Sequence, residues 1–109
     1  MNKYGNERVV FMGDVFDSKA ERSRFIELSL LEKAGKISGL QRQVKFELIP
    51  KQPGERAVDY IADFAYTENG VNVAEDVKSE GTRRDKAYVI KRKLFKQKYP
   101  GWIFREEIR

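Results

Sequence analysis

The sequence predicts a single α/β domain in which helices and strands follow the order α-β-β-β-α-β. Three observations lead to this prediction: two segments with helical periodicity, extended segments between them that include an Asn-Gly turn, and a short apolar segment after a Pro-Gly pair. A chain of 109 residues can bury one hydrophobic core but not two independent ones. We therefore expect one domain over residues 1–109, in which residues 1–17 form an N-terminal arm.

Two helices are predicted. The first covers residues 18–34, because Ser18 and Glu21 form the pattern of a capping box at its start and a glycine follows its end. The second covers residues 82–99 and ends at the Pro-Gly pair. Lys91 lies in the middle of the apolar arc of this second helix. A lysine in such a position either extends past the edge of the core or reaches into a site.

Four strands are predicted, over residues 37–49, 57–66, 71–78 and 102–105. The second and third strands are joined by Glu68-Asn69-Gly70, a typical signal for a β-hairpin turn. If alternation is strict, every second residue from 58 to 66 lies on one face of the second strand, and the residues between them lie on the other.

The composition excludes several classes of enzyme. The chain has no His and no Cys, so the usual zinc sites, Cys nucleophiles and Ser-His-Asp triads are ruled out. Carboxylates, lysines and a hard cation such as Mg²⁺ or Mn²⁺ remain as the groups that could carry chemistry. No segment is long and apolar enough for a membrane span, and the N-terminus lacks the features of an export signal, so we expect a cytoplasmic protein.

Positive charge is concentrated in one segment. Residues 82–98 contain eight Lys or Arg and one Asp, a net charge of +7 against +5 for the whole chain. Such a concentration suits a polyanion, and its binding would then depend on salt. The alternative is a solvated helix face with no partner.

Three residues are predicted to form the chemical centre of the molecule. Alternation along residues 71–78 puts Asp76 and Lys78 on one face, and the hairpin brings Asp63 alongside them. This arrangement suits the hydrolysis of a phosphodiester. The two carboxylates could hold a cation, and the lysine could orient water or offset charge. The alternative is a surface cluster of ion pairs. Glu75 is the alternative to Asp76 as a ligand of the cation. Alternation puts Glu75 on the same face as the valines of this strand, which favours Asp76.

The spacing from Asp63 to Asp76-Val77-Lys78 matches the pattern Asp-x(n)-(Asp/Glu)-x-Lys, and the chain resembles the PD-(D/E)XK nuclease superfamily. Within it, the sequence is similar to a small, largely phage-encoded family of endonuclease-like proteins in the resolvase-type branch. The segments that carry this resemblance are Lys3-Tyr4-Gly5-Asn6, Phe16-Asp17-Ser18-Lys19-Ala20-Glu21, Tyr60-Ile61-Ala62-Asp63-Phe64 and Glu75-Asp76-Val77-Lys78-Ser79. One departure is Ala62, which stands where the superfamily pattern has Pro.

The resemblance implies a restriction-endonuclease-like core with a small mixed sheet flanked by helices, and an Mg²⁺- or Mn²⁺-dependent DNA endonuclease that works in the bacterial host cytoplasm. Asp63 and Asp76 would bind the metal ion. Glu21 would complete the metal site, unless its role is only to cap the helix; Glu27 is the alternative ligand. The expected substrate is DNA, either branched recombination or replication intermediates or plain duplex, and a homodimer would place two sites symmetrically.

Seven further residues are candidates for contact with nucleic acid. Gln43 occupies a position where related nucleases often carry a Gln near the scissile phosphate, although an exposed strand residue is an equal reading. Lys91 is expected to contact a phosphate, because a lysine in the middle of an apolar arc can reach into a site. The other candidates are basic residues of the second helix and the turn before it, which could form a track for the DNA backbone or remain solvated: Arg83, Arg84, Arg92, Lys93 and Lys96.

Overall fold

The computed structural model describes residues 9–11 and 13–109 of the chain. The elements of this part are β1 (Val9–Phe11), β2 (Asp14–Phe16), α1 (Lys19–Lys33), β3 (Ser38–Ile49), β4 (Val58–Glu68), β5 (Val71–Lys78), a 3₁₀ turn (Thr82–Arg84), α2 (Lys86–Lys98) and β6 (Ile103–Ile108). From α1 onward this is the predicted order. The last strand is longer than the predicted 102–105, because all six of its residues pair with β5.

The end of the predicted N-terminal arm is part of the domain. Strands β1 and β2 form a small antiparallel hairpin, and Phe16 at its end is completely buried. Its ring lies 5.3 Å from that of Phe25 on α1, measured between centroids. Residues 1–8 and Met12, and with them the segment Lys3-Tyr4-Gly5-Asn6, lie outside the described residues.

The main sheet has four strands in the order β3-β4-β5-β6. Its first two pairings are antiparallel and the pairing of β5 with β6 is parallel, so the sheet is mixed. Successive side chains of β5 point to opposite faces of the sheet, and they contact α1 and α2 in turn. The two helices therefore cover opposite faces of the sheet. In the described part of the chain, neither helix is long and apolar enough to cross a membrane.

Each face of the sheet has its own core. On the α1 face the buried residues are Leu28, Ile37, Phe64, Tyr66 and Val73. On the α2 face they are Phe46, Leu48, Tyr60, Ala62, Ala74, Tyr88 and Phe95, with Tyr99, Trp102 and Phe104 packed against them.

The helix starts are fixed by side-chain caps. Ser18 caps α1, since its Oγ accepts the Glu21 N–H at 3.1 Å. The second helix begins at Lys86 rather than at residue 82, because Asp85 caps it by accepting the Tyr88 N–H at 3.2 Å. The segment before it is the 3₁₀ turn, so the start predicted for this helix was wrong.

The prediction of strict alternation along β4 was also wrong. Tyr60 and Ala62 belong to the core on the α2 face, whereas Phe64 and Tyr66 belong to the core on the α1 face. The strand therefore reverses its faces at Asp63. Strand β3 reverses with it, because Arg42 pairs with Phe64 while Val44 pairs with Ala62 and packs on the α2 side.

Gln43 is the residue at which β3 reverses. Its φ is +52°, in the left-handed region that residues other than glycine seldom adopt. Such a conformation costs on the order of 1–3 kcal/mol, and it persists only where the surrounding structure imposes it. Here the paired strands on both sides impose it, and the strain lies directly beside the predicted site.

Candidate active site

Strands β4 and β5 separate at Asp63 and Asp76. Their ladder runs from the hairpin turn as far as the pair Phe64 and Glu75. Beyond this pair, carboxylates replace the backbone acceptors: the Asp63 N–H donates to Asp76 Oδ1 at 3.2 Å, and the Val77 N–H donates to Asp63 Oδ2 at 2.9 Å. The two aspartates are therefore held side by side by the backbone of the opposite strand.

Lys78 is the third member of this group. Its Nζ lies 3.0 Å from Asp76 Oδ2 and 4.4 Å from the centroid of the Tyr88 ring, which α2 contributes. Regular alternation along β5 puts Asp76 and Lys78 on the α2 face, as the sequence predicted. The structure thus brings together the three residues predicted to form the chemical centre.

Electrostatic repulsion in this group is only partly balanced. Burial, and then the neighbouring charges of Asp76 and Glu21, raise the pKa of Asp63 well above its ordinary value. Burial also raises the pKa of Asp76, against the opposing effect of Lys78. Two adjacent carboxylates with raised pKa values attract a proton or a cation.

The ammonium group of Lys78 is held in its charged form. Burial by itself would lower the pKa of Lys78, but the attraction of Asp76 and Asp63 outweighs it and the pKa is raised. One positive charge therefore faces two carboxylates, which leaves the group with a net negative charge when both are ionised.

Glu21 is connected to the aspartates from the first helix. Its side chain is buried, and its Oε1 accepts the Gln43 side-chain N–H at 3.3 Å and lies 3.6 Å from an Arg42 nitrogen. Burial, followed by repulsion from Asp17, raises the pKa of Glu21, while Arg42 opposes this shift. Ser18 caps α1 through the backbone N–H of Glu21, and the Glu21 carboxylate itself accepts a hydrogen bond from the backbone of Asp17, which opposes the rise of its pKa.

The alternative ligand, Glu27, lies elsewhere. Its carboxylate is bound by Arg109 and by Arg24 at the surface, and 46% of its side chain is exposed. Of the two glutamates considered for the metal site, Glu21 is the one beside Asp63.

A cleft of about 410 Å³ opens onto the two aspartates. It lies between the sheet and α2, and its lining contains five aspartates but only two lysines. The lining residues are Asp17, Gln43, Asp59, Tyr60, Ile61, Asp63, Asp76, Lys78, Asp85, Ala87, Tyr88 and Lys91. An excess of carboxylate oxygen is the composition that a hard divalent cation prefers.

This donor set fits Mg²⁺ or Mn²⁺. Asp63 and Asp76 offer oxygen only, lie side by side, and have a surplus of negative charge that a cation would relieve. No three carboxylates among residues 9–11 and 13–109 form a complete metal-binding group by themselves. Mg²⁺ is often bound by one or two protein carboxylates and keeps several water ligands, so Asp63 and Asp76 are the residues that could hold it.

The predicted nucleic-acid residues fall into three groups. Gln43 and Lys91 line the cleft itself, and Lys91 is half-buried there. Lys93 and Lys96 are exposed on the outer surface of α2. The remaining basic residues are engaged within the protein: Arg83 and Arg92 lie 3.1 and 3.5 Å from Glu106, and Arg84 lies 3.7 Å from Glu80.

Several lining residues were missed by the sequence reasoning. The sequence predicted no role in the site for Tyr60, Asp17, Asp59 or Asp85, which also line the cleft. Period-two spacing did place Tyr60 and Ala62 on a common face, but nothing in the sequence indicated that the face of β4 changes just after them. The capping role of Asp85, which also lines the cleft, could have been predicted from an Asp directly before a segment with helical periodicity.

Comparison with known proteins gives one match. A family model described as "Protein of unknown function (DUF1064)" matches residues 1–107. No curated protein and no solved structure shows significant similarity to the chain.

Proposed function

The chain belongs to the DUF1064 family of proteins of unknown function, and we propose that it is a metal-dependent endonuclease that hydrolyses DNA phosphodiester bonds. The observation that carries this proposal is the pair of adjacent aspartates, half-buried Asp63 and buried Asp76, whose repulsion a single lysine only partly balances at the floor of an open cleft. Unbalanced buried charge costs stability, and residues of this kind cluster at catalytic sites.

In this proposal Asp63 and Asp76 hold the metal ion, and Glu21 assists directly or through a water. A bound Mg²⁺ or Mn²⁺ would act as a Lewis acid, lowering the pKa of a water and balancing charge on the phosphoryl oxygens. Lys78 donates hydrogen bonds from its ammonium group, which orients the attacking water and offsets charge that develops on the phosphate.

Lys91 and Gln43 contribute from the walls of the cleft. Lys91 reaches the phosphate from α2, where its half-buried position strengthens an electrostatic contact. Gln43 links Glu21 to the cleft and can donate its amide N–H to a substrate oxygen. Attack by the water oxygen on phosphorus breaks the bond to the 3′ oxygen, which takes up a proton; the products are a 5′-phosphate and a 3′-hydroxyl.

The resemblance to PD-(D/E)XK nucleases supports the same function. The order of elements from α1 to β6 and the spacing of Asp63 from Asp76-Val77-Lys78 are compatible with the core expected from that resemblance. The basic surface of α2, with Lys93 and Lys96 exposed, suits the DNA backbone.

We further propose that branched DNA is preferred over plain duplex. The concentrated basic residues lie on α2 and on the 3₁₀ turn before it, and the described part of the chain contains no recognisable base-reading module, so discrimination would depend on DNA shape. A homodimer of such surfaces could hold two helical arms at a fixed angle, whereas a straight duplex would contact only one.

The deciding experiment is a cleavage assay on linear, flapped and four-way DNA of equal length with Mg²⁺, Mn²⁺, Ca²⁺ or EDTA. We expect cutting with Mg²⁺ or Mn²⁺, none in EDTA, and faster cutting of the four-way junction. Asp63→Asn serves as the inactive control, since it keeps the size of the side chain and removes its charge. Tight DNA binding without cleavage under every condition would instead identify a binding module with a nuclease-like fold.

A further inference from the structure

The ring of Tyr88 forms part of the wall of the cleft beside Lys78. Tyr88 lies in the first turn of α2 and is 7% exposed. The Lys78 ammonium lies over this ring, with Nζ 4.4 Å from its centroid. This distance is within the roughly 6 Å at which the negative face of an aromatic ring attracts a cation. The same Nζ lies 3.0 Å from Asp76 Oδ2, so the ring and a carboxylate both hold the ammonium.

The hydroxyl of Tyr88 is bound at the far end of the ring. It donates a hydrogen bond to Glu106 Oε2 at 2.5 Å, and Glu106 is in turn paired with Arg83 and Arg92. Glu106 on β6 is the register partner of Asp76 on β5, so this hydrogen bond ties the ring to the strand beside the site. Burial, followed by the bond to Glu106, raises the pKa of Tyr88 above its ordinary value, and the hydroxyl therefore stays protonated and can donate.

These contacts limit the directions in which Lys78 can act. An ammonium group has three N–H donors on a flexible stem, which must be ordered before the group can serve at a fixed point. Asp76 accepts from one side of the ammonium and the ring covers another, and the open side is the cleft that Lys78 lines. A neutral ring suits this position better than a third carboxylate would, because it attracts the cation without adding to the surplus of negative charge.

We propose that Tyr88 is a positioning residue, whose ring, fixed through Glu106, holds the ammonium of Lys78 so that it faces the cleft. This inference rests on the nuclease function proposed above, in which Lys78 orients the attacking water. Asp76 is also a proposed metal ligand, and a cation held there would compete with Lys78 for its oxygens. The contact with the ring does not depend on those oxygens, so it keeps the ammonium in place when they are shared.

The first experiment separates the ring of Tyr88 from its hydroxyl. Tyr88→Phe keeps the ring and removes the bond to Glu106, whereas Tyr88→Leu keeps an apolar side chain and removes the ring. At saturating DNA and Mg²⁺, we expect Tyr88→Phe to cut within roughly threefold of the wild-type single-turnover rate and Tyr88→Leu to cut roughly 10- to 30-fold more slowly, the scale of a desolvated contact between a cation and a ring. Affinity for DNA in EDTA should be unchanged in both variants, because neither removes a charge.

The second experiment changes only the electrostatic character of the ring. Replacement of Tyr88 by phenylalanine that carries no, one, two or three ring fluorines weakens the negative potential of the ring face at nearly constant shape. We expect the cleavage rate to fall with each fluorine, by roughly 3- to 10-fold over the series, as the attraction for the ammonium weakens.

Phe95 is the matched control for this series. It is completely buried in the same core as Tyr88, and its ring lies 4.9 Å from Phe46 and 5.2 Å from Tyr99 between centroids. Because its ring packs against other rings and not against Lys78, the same fluorines at Phe95 should leave the cleavage rate of the folded protein unchanged.

The third experiment measures the contact in the metal-free protein. Tyr88→Leu is made in the wild-type chain and in Lys78→Met, and the midpoints of urea unfolding in EDTA are compared. The shift caused by Tyr88→Leu should be smaller in Lys78→Met, because both backgrounds lose the same packing but only the wild-type chain also loses the contact with the ammonium. If Lys78→Met does not fold, the fluorinated series, which leaves Lys78 in place, decides the question without it.

The outcomes separate this inference from the proposed function. A wild-type chain that cuts no DNA overturns both. If wild type cuts DNA but the rate is constant along the fluorinated series at Tyr88, or falls equally along the series at Phe95, the role of Tyr88 is wrong and the nuclease function stands. Equal losses of rate in Tyr88→Phe and Tyr88→Leu, or equal shifts of the urea midpoint in the two backgrounds, would also show that the ring does not position Lys78.

Discussion

Glu75 and Asp76 are neighbours in one strand and are both almost completely buried, at 0% and 2% exposure, yet their surroundings differ. On the α1 face, Arg24 binds Glu75 with two nitrogens at 2.7 and 2.9 Å, and the Tyr66 hydroxyl donates to it at 2.6 Å. On the α2 face, Asp76 faces Lys78 but also a half-buried carboxylate, Asp63, and an open cleft.

This difference gives the two residues different roles: Glu75 is a structural acid, which stabilises the fold, and Asp76 is a chemical acid, which is available to a ligand. Glu75 is satisfied by an ion pair of ideal bidentate form, which fastens α1 to the sheet. Because Arg24 stands one turn after Glu21 on α1, the same ion pair also sets the position of Glu21 relative to Asp63. Asp76 is paired with Lys78, but the second carboxylate, Asp63, leaves the group with a surplus of negative charge that suits a cation.

The largest effect is expected at the chemical acid. Asp76→Asn should reduce the single-turnover cleavage rate by at least about 1000-fold, which is a loss of about 4 kcal/mol of transition-state stabilisation. DNA binding should be equal or tighter, because a charge that repels the phosphate is removed. The variant should also melt at a higher temperature than wild type in EDTA, by a few degrees, since a buried repulsion is removed.

Cutting at the wild-type rate by Asp76→Asn would refute the assignment of the metal ligands. A fall in melting temperature would show that the carboxylate is needed for the fold, as Glu75 is.

The structural acid should respond in the opposite way. Arg24→Met leaves Glu75 buried without its main partner and should cost about 3–5 kcal/mol of unfolding free energy. Urea denaturation measures this loss. Arg84→Met is the control, because the ion pair of Arg84 with Glu80 is exposed and such pairs contribute about 0–1 kcal/mol.

The double variant Arg24→Met with Glu75→Met should recover much of the lost unfolding free energy, because no unpaired charge remains in it. Equal losses for Arg24→Met and Arg84→Met would show that the ion pair on the α1 face contributes no more than a surface contact.

A smaller effect is expected from the two kinds of lysine on α2. Lys91→Ala should lower the single-turnover rate at saturating DNA by roughly tenfold, because its half-buried charge acts on the reacting phosphate. Lys93→Ala should leave this rate unchanged, weaken binding, and reduce the dependence of binding on salt by about one unit of slope. If the two variants behave alike, α2 is only an electrostatic track along the DNA backbone.

The parts of the fold that were predicted correctly follow regular local patterns in the sequence. The side chains of β5 alternate without interruption, so the common face of Asp76 and Lys78 and the opposite face of Glu75 followed from spacing alone. The Asn-Gly turn fixed the hairpin, since Asn69 and Gly70 both adopt the positive φ that this turn requires.

What escaped prediction depends on contacts between distant parts of the chain. The reversal of β3 and β4 requires Gln43 and Asp63 to leave regular geometry together, and neither residue type signals it. Arg24 and Glu75 are 51 positions apart, so no local pattern reveals that the glutamate is neutralised.

The smallest effect concerns the pH dependence of stability without metal. The pKa of Asp63 is raised in the folded chain, mainly by burial, so the folded state binds a proton more tightly than the unfolded state. The stabilisation from this proton is complete below the ordinary pKa of 3.8 and is lost as pH rises through the folded value. Asp63→Asn removes this loss, so its advantage in unfolding free energy over wild type should be larger at pH 8 than at pH 5.

Glu27→Gln is the matched control for that measurement, because the pKa of Glu27 is shifted the other way. Its hydrogen bond from Arg109 lowers the pKa below the ordinary value of 4.5, so the stabilisation it contributes is lost only as pH falls through that lower value. Between pH 5 and pH 8 the difference between Glu27→Gln and wild type should therefore stay constant. Urea unfolding in EDTA at several pH values compares the two variants directly. A constant difference for Asp63→Asn as well would mean that Asp63 titrates normally in the folded chain, and the contrast between a compensated and an uncompensated acid would then rest on Asp76 alone.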